Sequence, residues 1–439
     1  MARGPNEPVP RRSFARACVV ALVALATVPA CRSGDVRKTE AALVTPTLFR
    51  PLSHYDDMPQ SSFTGAGAYV AVVPEPGTWP APYGGPARNS RAAEPLLHDH
   101  WVVRWEAPLG NASRPRSLLV GAERVLVSGA DSQGIWTTAG HAVATFARSP
   151  GASFLDAVGK HLLLDDVGGL ATYSLDGQRE GSILVSSANA GTSREVLQGP
   201  GAFAFVTAES PPHGDQTASV QVLRIVDYAR VKNHILYGLE PVAGITRDES
   251  SVRAAAASAG PVLATKEGVV WCDWRLRALH ELKRATNPLA LSVDDQGRAL
   301  LIADDGERRL HIIAPGGPST DVVLPDAMFA SFVPPVVAPS GQIYLTPPGG
   351  VRSVSRDGAI LWQQTRASDA PGGVAMNGLL LLADDQLYAL TPDGRRLPLW
   401  RPPAPIVTAA VLAGGLIYVA TAETLYALAP AAPAAPAAP

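Results

Sequence analysis

The stretch Gly378–Trp400, GLLLLADDQLYALTPDGRRLPLW, decides how this chain is read. Leu379 to Ala383 is a short apolar run, interrupted by Asp384-Asp385. Leu387 to Leu390 is a second run, and Pro392-Asp393-Gly394 turns the chain before Leu397 to Trp400. Leu, Tyr and Trp suit a pleated, half-buried surface, while Asp and Gly supply the dihedrals that two-residue connections need. The stretch therefore reads as strand, turn, strand, turn, strand.

Working outward, the same phrase recurs. The centres of the short aliphatic runs that follow a Gly, Arg or Pro are Leu126, Leu163, Phe205, Leu263, Leu301, Ile343, Leu381 and Ile417. Their successive spacings are 37, 42, 58, 38, 42, 38 and 36 residues. A period of about forty, with three or four short strands per unit, marks a β-propeller. The long step implies an insertion, placed around Glu209 to Ser219, where Pro211, Pro212, Gly214 and Asp215 fall. Helical repeats are excluded, because Gly, Pro and Asp-Gly break every window that would hold two helices. Ala254 to Gly260, AAAASAG, carries the small side chains that the crowded axis of such a ring admits.

The ends of the array predict how it closes. The last unit supplies Ile406 to Leu412, Leu416 to Thr421 and Leu425 to Leu428, then runs into Ala-Pro repeats, so it lacks a fourth strand. Trp101 to Leu109, WVVRWEAPL, precedes the first unit and reads as the missing one. Pairing it with the last unit would bury two free edges. The expectation is an all-β propeller over 99–430 with eight four-stranded blades, closed by an N-terminal strand on the last blade. Seven blades follow if the unit around Phe205 is not one.

Composition agrees and narrows the function classes. The 439 residues include 37 basic and 39 acidic side chains, a net charge of -2. That balance leaves no footprint for nucleic acid and no field for steering a charged partner. Gly and Pro, at 40 each, fit many turns and short strands. Aromatics at 6% and an Ala-Pro end do not fit the girdled strands of a transmembrane β-barrel.

Residues 1–30 read as an export signal. Arg3, Arg11, Arg12 and Arg16 form a basic head, and Ala17 to Ala30 is an apolar core too short to span a bilayer of roughly 30 Å. Val28-Pro29-Ala30-Cys31 resembles the lipobox of bacterial lipoproteins, which implies Cys31 as the lipid attachment site; ordinary cleavage is the alternative. Arg11-Arg12-Ser13-Phe14 resembles a twin-arginine export motif, and Sec export stays open. Arg32 follows the cysteine where an aspartate would signal inner-membrane retention, so that sorting rule favours the outer membrane. Residues 31–98, punctuated by prolines, read as a tether or surface-hugging extension. Residues 431–439 read as an extended Ala/Pro tail.

Ser355-Arg356-Asp357-Gly358-Ala359-Ile360-Leu361-Trp362 and Leu387-Tyr388-Ala389-Leu390-Thr391-Pro392-Asp393-Gly394 resemble the repeats of pyrroloquinoline-quinone-type propellers. Tyr173 to Gly177 and Leu425 to Leu428 are partial copies. That family includes quinoprotein alcohol dehydrogenases and, without cofactor, the propeller lipoprotein of the outer-membrane protein assembly machinery. Its dehydrogenases carry an adjacent cysteine pair, whereas Cys272 stands alone once Cys18 leaves with the leader and Cys31 carries lipid. No cofactor is expected.

Other candidate chemistry reads as structural. The pairs Asp165-Asp166, Asp294-Asp295, Asp304-Asp305 and Asp384-Asp385 follow strands, where Asp stabilises turns through its own backbone. His98-Asp99-His100 places two imidazoles on one face of an extended segment, without an identifiable third zinc ligand. His141, His161, His213, His234, His280 and His311 are expected on the surface or in loops. Trp101, Trp105, Trp136, Trp271, Trp274, Trp362 and Trp400 are expected to pack between blades, with Trp271 and Trp274 flanking Cys272 the least readily assigned. No metal is expected, and no glycine-flanked nucleophilic serine occurs.

The reading is a non-catalytic, lipid-anchored propeller of the bacterial cell envelope that binds envelope proteins or scaffolds their assembly. A quinone-dependent dehydrogenase-like enzyme, or another enzyme with a site in the central funnel, is the alternative.

Overall fold

The computed structural model describes residues 78–431 apart from short stretches within that span; between 147 and 251 it gives backbone, with side chains only at 173–179 and Leu197. Among the described residues every regular element is a strand, and the strands form eight four-stranded antiparallel sheets. The first four sheets follow the chain. They are Ser117–Gly121, Arg124–Ser128, Ser132–Thr137 and Ala142–Ala147; then Phe154–Val158, His161–Asp166, Gly169–Ser174 and Arg179–Leu184. The third is Ser193–Gly199, Ala202–Glu209, Thr217–Val231 and His234–Arg247; the fourth Arg253–Ala257, Gly260–Thr265, Gly268–Cys272 and Ala278–Lys283.

The fifth sheet is Pro288–Val293, Ala299–Asp304, Arg308–Ile313 and Ser319–Val323, and the sixth Val336–Val337, Ile343–Leu345, Gly350–Val354 and Ile360–Thr365. The seventh is Val374–Met376, Leu379–Ala383, Leu387–Leu390 and Arg396–Trp400. The eighth takes Val411–Ala413, Leu416–Ala420 and Thr424–Pro430, and its fourth strand is Trp101–Pro108. That strand runs in register from Trp101 opposite Pro430 to Pro108 opposite Thr424, with one irregularity between Val103 and Trp105. All eight repeat centres marked in the sequence fall on second strands.

The sheets form a ring with their first strands innermost. First strands neighbour one another from the eighth sheet through the first to the fifth, and again from the sixth to the seventh. Apolar clusters supply the remaining junctions: one joins the fifth and sixth sheets, another the sixth and seventh, and the largest the seventh, eighth and first. Each sheet alone exposes its greasy faces; stacking hides them, at about 1.5–3 kcal/mol per fully buried Leu or Val. Ala254, Ala255, Ala256 and Ala257 are buried on the first strand of the fourth sheet, the small inner strand that AAAASAG predicts.

One expectation needs adjusting. The 58-residue step is absorbed in the third sheet, whose last two strands are 15 and 14 residues long and pair almost to the tip, from Ala218 opposite Arg247 to Val231 opposite His234. The second strand of that sheet pairs only as far as Leu223, so the hairpin continues beyond it as a two-stranded ribbon. Part of the expected insertion, 210–216, lies outside the described residues.

Candidate functional site in the central channel

The inner edges of the first strands face the axis of the ring, and the stretch from 78 to 96 runs along them. Trp79 exchanges both backbone hydrogen bonds with Val120 of the first sheet, at 2.6 and 2.9 Å. The carbonyl of Ala87 accepts from the amide of Val293 on the fifth sheet, and that of Asn89 from Val337 on the sixth, both at 2.9 Å. Ser90 and Ala92 bracket Ala375 on the seventh sheet at 2.9 and 3.0 Å. The segment thus crosses from sheet to sheet, taking a rung on the inner edges of the first, fifth, sixth and seventh.

Side chains fasten it further. Asn89, 1% exposed, donates its amide to the carbonyl of Val293 at 3.0 Å. Arg91 forms an ion pair with Asp295. The carboxylate of Glu94 accepts from the amides of Gly414 and Gly415 on the eighth sheet, at 2.9 and 2.6 Å. Trp79, Ala92 and Leu96 join the cluster of the first, seventh and eighth sheets, and Ala87 that of the fourth and fifth. Trp79 folds over Gly84, whose φ of +93° and a Cβ only 2.9 Å from the indole leave no room for another residue. Tyr83, Arg88 and Ser90 also hold positive φ, a conformation that surrounding bonds must over-determine.

Residues 31–98 read from sequence as a tether or surface-hugging extension; the described part between 78 and 96 lies inside the ring as a strap. It shows no periodicity because its residues answer to several different sheets in turn. Reading the residues one by one passed over Trp79, Asn89, Arg91 and Glu94. The available signal was a pair of aromatics, Trp79 and Tyr83, in a Pro-rich stretch that otherwise has little to bury.

The strap's bonds fall toward the far ends of the inner strands. Nearer their beginnings lies a cavity of about 110 Å3, with Trp79, Tyr83 and Ser90 of the strap on one side. Its walls come from Arg116 to Leu118, Gly372-Gly373 and Ala409 to Val411, the openings of the first, seventh and eighth sheets. Arg116 is the one charged residue of the lining.

Several of the other sequence candidates hold turns and ion pairs. Asp294 accepts from the amides of Gln296 and Arg298, both at 2.9 Å, closing its own turn. Asp385 pairs with Arg401, and Asp304 with Arg308. Asp384, 2% exposed, binds Arg366 at 3.0 Å and accepts from the Tyr388 hydroxyl at 2.7 Å. Burial and that acceptor push the Tyr388 phenol upward. Side chains of Asp165 and Asp166, and His98, Asp99 and Cys31, lie outside the described residues; His100 is exposed.

His311 departs from the surface position expected of it. It is fully buried on the third strand of the fifth sheet, with Asp321 at 2.8 Å from Nδ1 and Asp305 at 3.1 Å from Nε2. Burial pushes the Asp321 carboxyl up, but hydrogen bonds from Arg284 and His311 outweigh it and hold the group at about 2. Two carboxylates and two strands surround the ring, which explains how a histidine leaves the surface. Trp271 packs between sheets as expected, 1% exposed and donating to Gly297 of the next sheet at 3.0 Å, whereas Trp274 donates to Ser258 of its own sheet at 3.4 Å. Cys272, next to Trp271, is buried and joins no disulfide.

No family model and no curated protein matches the chain. Among solved structures, it is similar to BamB from Moraxella catarrhalis, with a TM-score of 0.51, 11% identity, 75% of this chain and 97% of that one covered. It also matches the AfRom2 CNH domain at a TM-score of 0.43 and 10% identity, over 69% of this chain and 100% of that one. The Neurospora crassa Pan2 WD40 domain matches at 0.42 and 9%, over 76% and 97%. At such identity the likeness to BamB speaks for the fold: an all-β propeller.

Proposed function

We propose that this chain is a lipid-anchored β-propeller of the bacterial cell envelope that binds other envelope proteins, each of the eight sheets forming one blade, without catalysis of its own. The observation that carries the reading is the strap. A funnel enzyme keeps its axis open for substrate, whereas here the chain's own residues 79 to 92 bond the inner strands of four sheets and Glu94 binds the first turn of the eighth. What remains available is two faces built from turns, the usual place for recognition on a rigid scaffold. The lipobox at Val28 to Cys31 supports the anchor, and the quinoprotein-type repeats support kinship with cofactor-free envelope propellers.

Crosslinking pull-down from native envelopes, run on wild type and Cys31→Ala, tests both halves. Stable protein partners and release of the variant into the soluble fraction are expected. A variant that stays in membranes overturns the anchor. A chromophore retained after adding quinone and calcium to the purified protein would replace the scaffold with an oxidoreductase.

A further inference from the structure

The cavity beside the strap has a shape and chemistry of its own. At about 110 Å3 it admits a group the size of one amino-acid side chain rather than a drug-sized ligand. Ala409 and Gly373 keep its walls low, while Trp79 and Tyr83 give it an aromatic side. Its backbone is also unfinished. Trp79 uses both the N–H and C=O of Val120, so strand alternation turns those of Leu118 toward the same side. Ala375 is used in the same way by Ser90 and Ala92, which turns the groups of Gly373 to the axis. Among the described residues neither Leu118 nor Gly373 has a partner there.

Arg116 adds the charge. It is exposed, so it stands at the rim, and no described carboxylate pairs with it. Two open strand edges, a residue-sized apolar hole and a lone guanidinium fit one kind of occupant. We propose that the cavity receives the C-terminal residue of an extended peptide from a partner protein, its last side chain against Trp79 and Tyr83 and its carboxylate on Arg116. The peptide backbone would extend the rungs that the strap begins, as strand addition does elsewhere. This rests on the protein-binding reading above and names what the partner must offer.

Binding of the full chain to immobilised short random peptides with an apolar last residue, as free acids and as amides, tests the proposal. Free acids are expected to bind, with amides weaker by about tenfold or more, since a charge-assisted pair is lost. Arg116→Ala should bring the acids down to the level of the amides. Ala409→Phe, which fills the cavity, should abolish binding of both. Arg116 is at the surface, so its variant folds whether or not the Phe variant does. Equal binding of acids and amides, no binding of either, or competition by benzoate as strong as by peptide overturns the proposal. If envelope pull-down recovers the same partners with Arg116→Ala as with wild type, the scaffold reading stands and the cavity proposal falls.

Discussion

Trp362 donates its indole N–H to the carbonyl oxygen of Pro392 at 2.7 Å, and its ring lies across Gly394. Trp362 is on the outermost strand of the sixth sheet, and Pro392 to Gly394 is the last turn of the seventh. The same latch recurs where the ring closes: Trp105 donates to the carbonyl of Thr138 at 2.9 Å and covers Gly140. At the junction of the seventh and eighth sheets no such turn exists, because the fourth strand comes from the other end of the chain. There Trp400 packs on Tyr426, with ring centroids 5.1 Å apart.

The latch predicts unequal costs for two glycines. Gly394 has φ of +88° and its Cβ would sit 3.1 Å from the Trp362 ring; Gly349 has φ of +78° and open space. Both alanine variants meet the left-handed penalty of about 1 kcal/mol. Gly394→Ala should lose about 1–3 kcal/mol more from overpacking. Denaturant unfolding of the two side by side checks this, and equal losses would refute the contact.

Closure by the N-terminal strand predicts that Trp101 matters to the whole ring. It is 5% exposed and opposite Pro430. Trp101→Ala should cost about 3–5 kcal/mol. A loss below about 0.5 kcal/mol, the usual size of surface effects, would mean the strand is only an attachment.

Amide hydrogen exchange reads the strap directly. The amides of Val120, Val293, Val337 and Ala375 donate to strap carbonyls. In a chain lacking 78–96 these four should lose protection while second-strand amides such as Ile417 keep theirs. Protection unchanged at all four would remove the strap from the channel.

The pair Arg366 and Asp384 is buried, at 1% and 2% side-chain exposure. Asp384→Asn should cost about 3–5 kcal/mol by stranding the guanidinium, and adding Arg366→Met should restore much of that loss. Chemical denaturation of both variants checks the order; a double variant weaker than the single one would contradict it.

Asp321 predicts an acid limit. Its folded value of about 2 lies below the ordinary 3.8, so its contribution is complete above about pH 4 and fades as pH falls toward 2. Asp321→Asn should flatten stability against pH in that window. An unchanged slope between pH 4 and 2 would detach the group from the fold's stability.

How far the sequence could be read depended on the range of the interaction. Leu379 to Ala383 and Leu387 to Leu390 coincide with observed strands because a short apolar run, buried on both faces, and the Asp-bearing turns beside it are settled by neighbours a few residues away. Even the closing strand was legible, since an unfinished last unit and an unpaired first segment pose a problem with one answer. His311 was not, because its carboxylates come from a turn and from the adjacent strand, and a lone histidine carries no sign of them.

The repeat spacing therefore indicated the order of the sheets, with seven or eight units open, and the unmatched ends of the array indicated how the chain's ends meet. Only the tertiary structure decided what fills the axis. Asn89 and its acceptor Val293 are 204 positions apart, and a strap that takes one rung from each of several sheets has no period to betray it. Such a segment is defined by the ring it crosses, and the ring exists only once the sheets have closed.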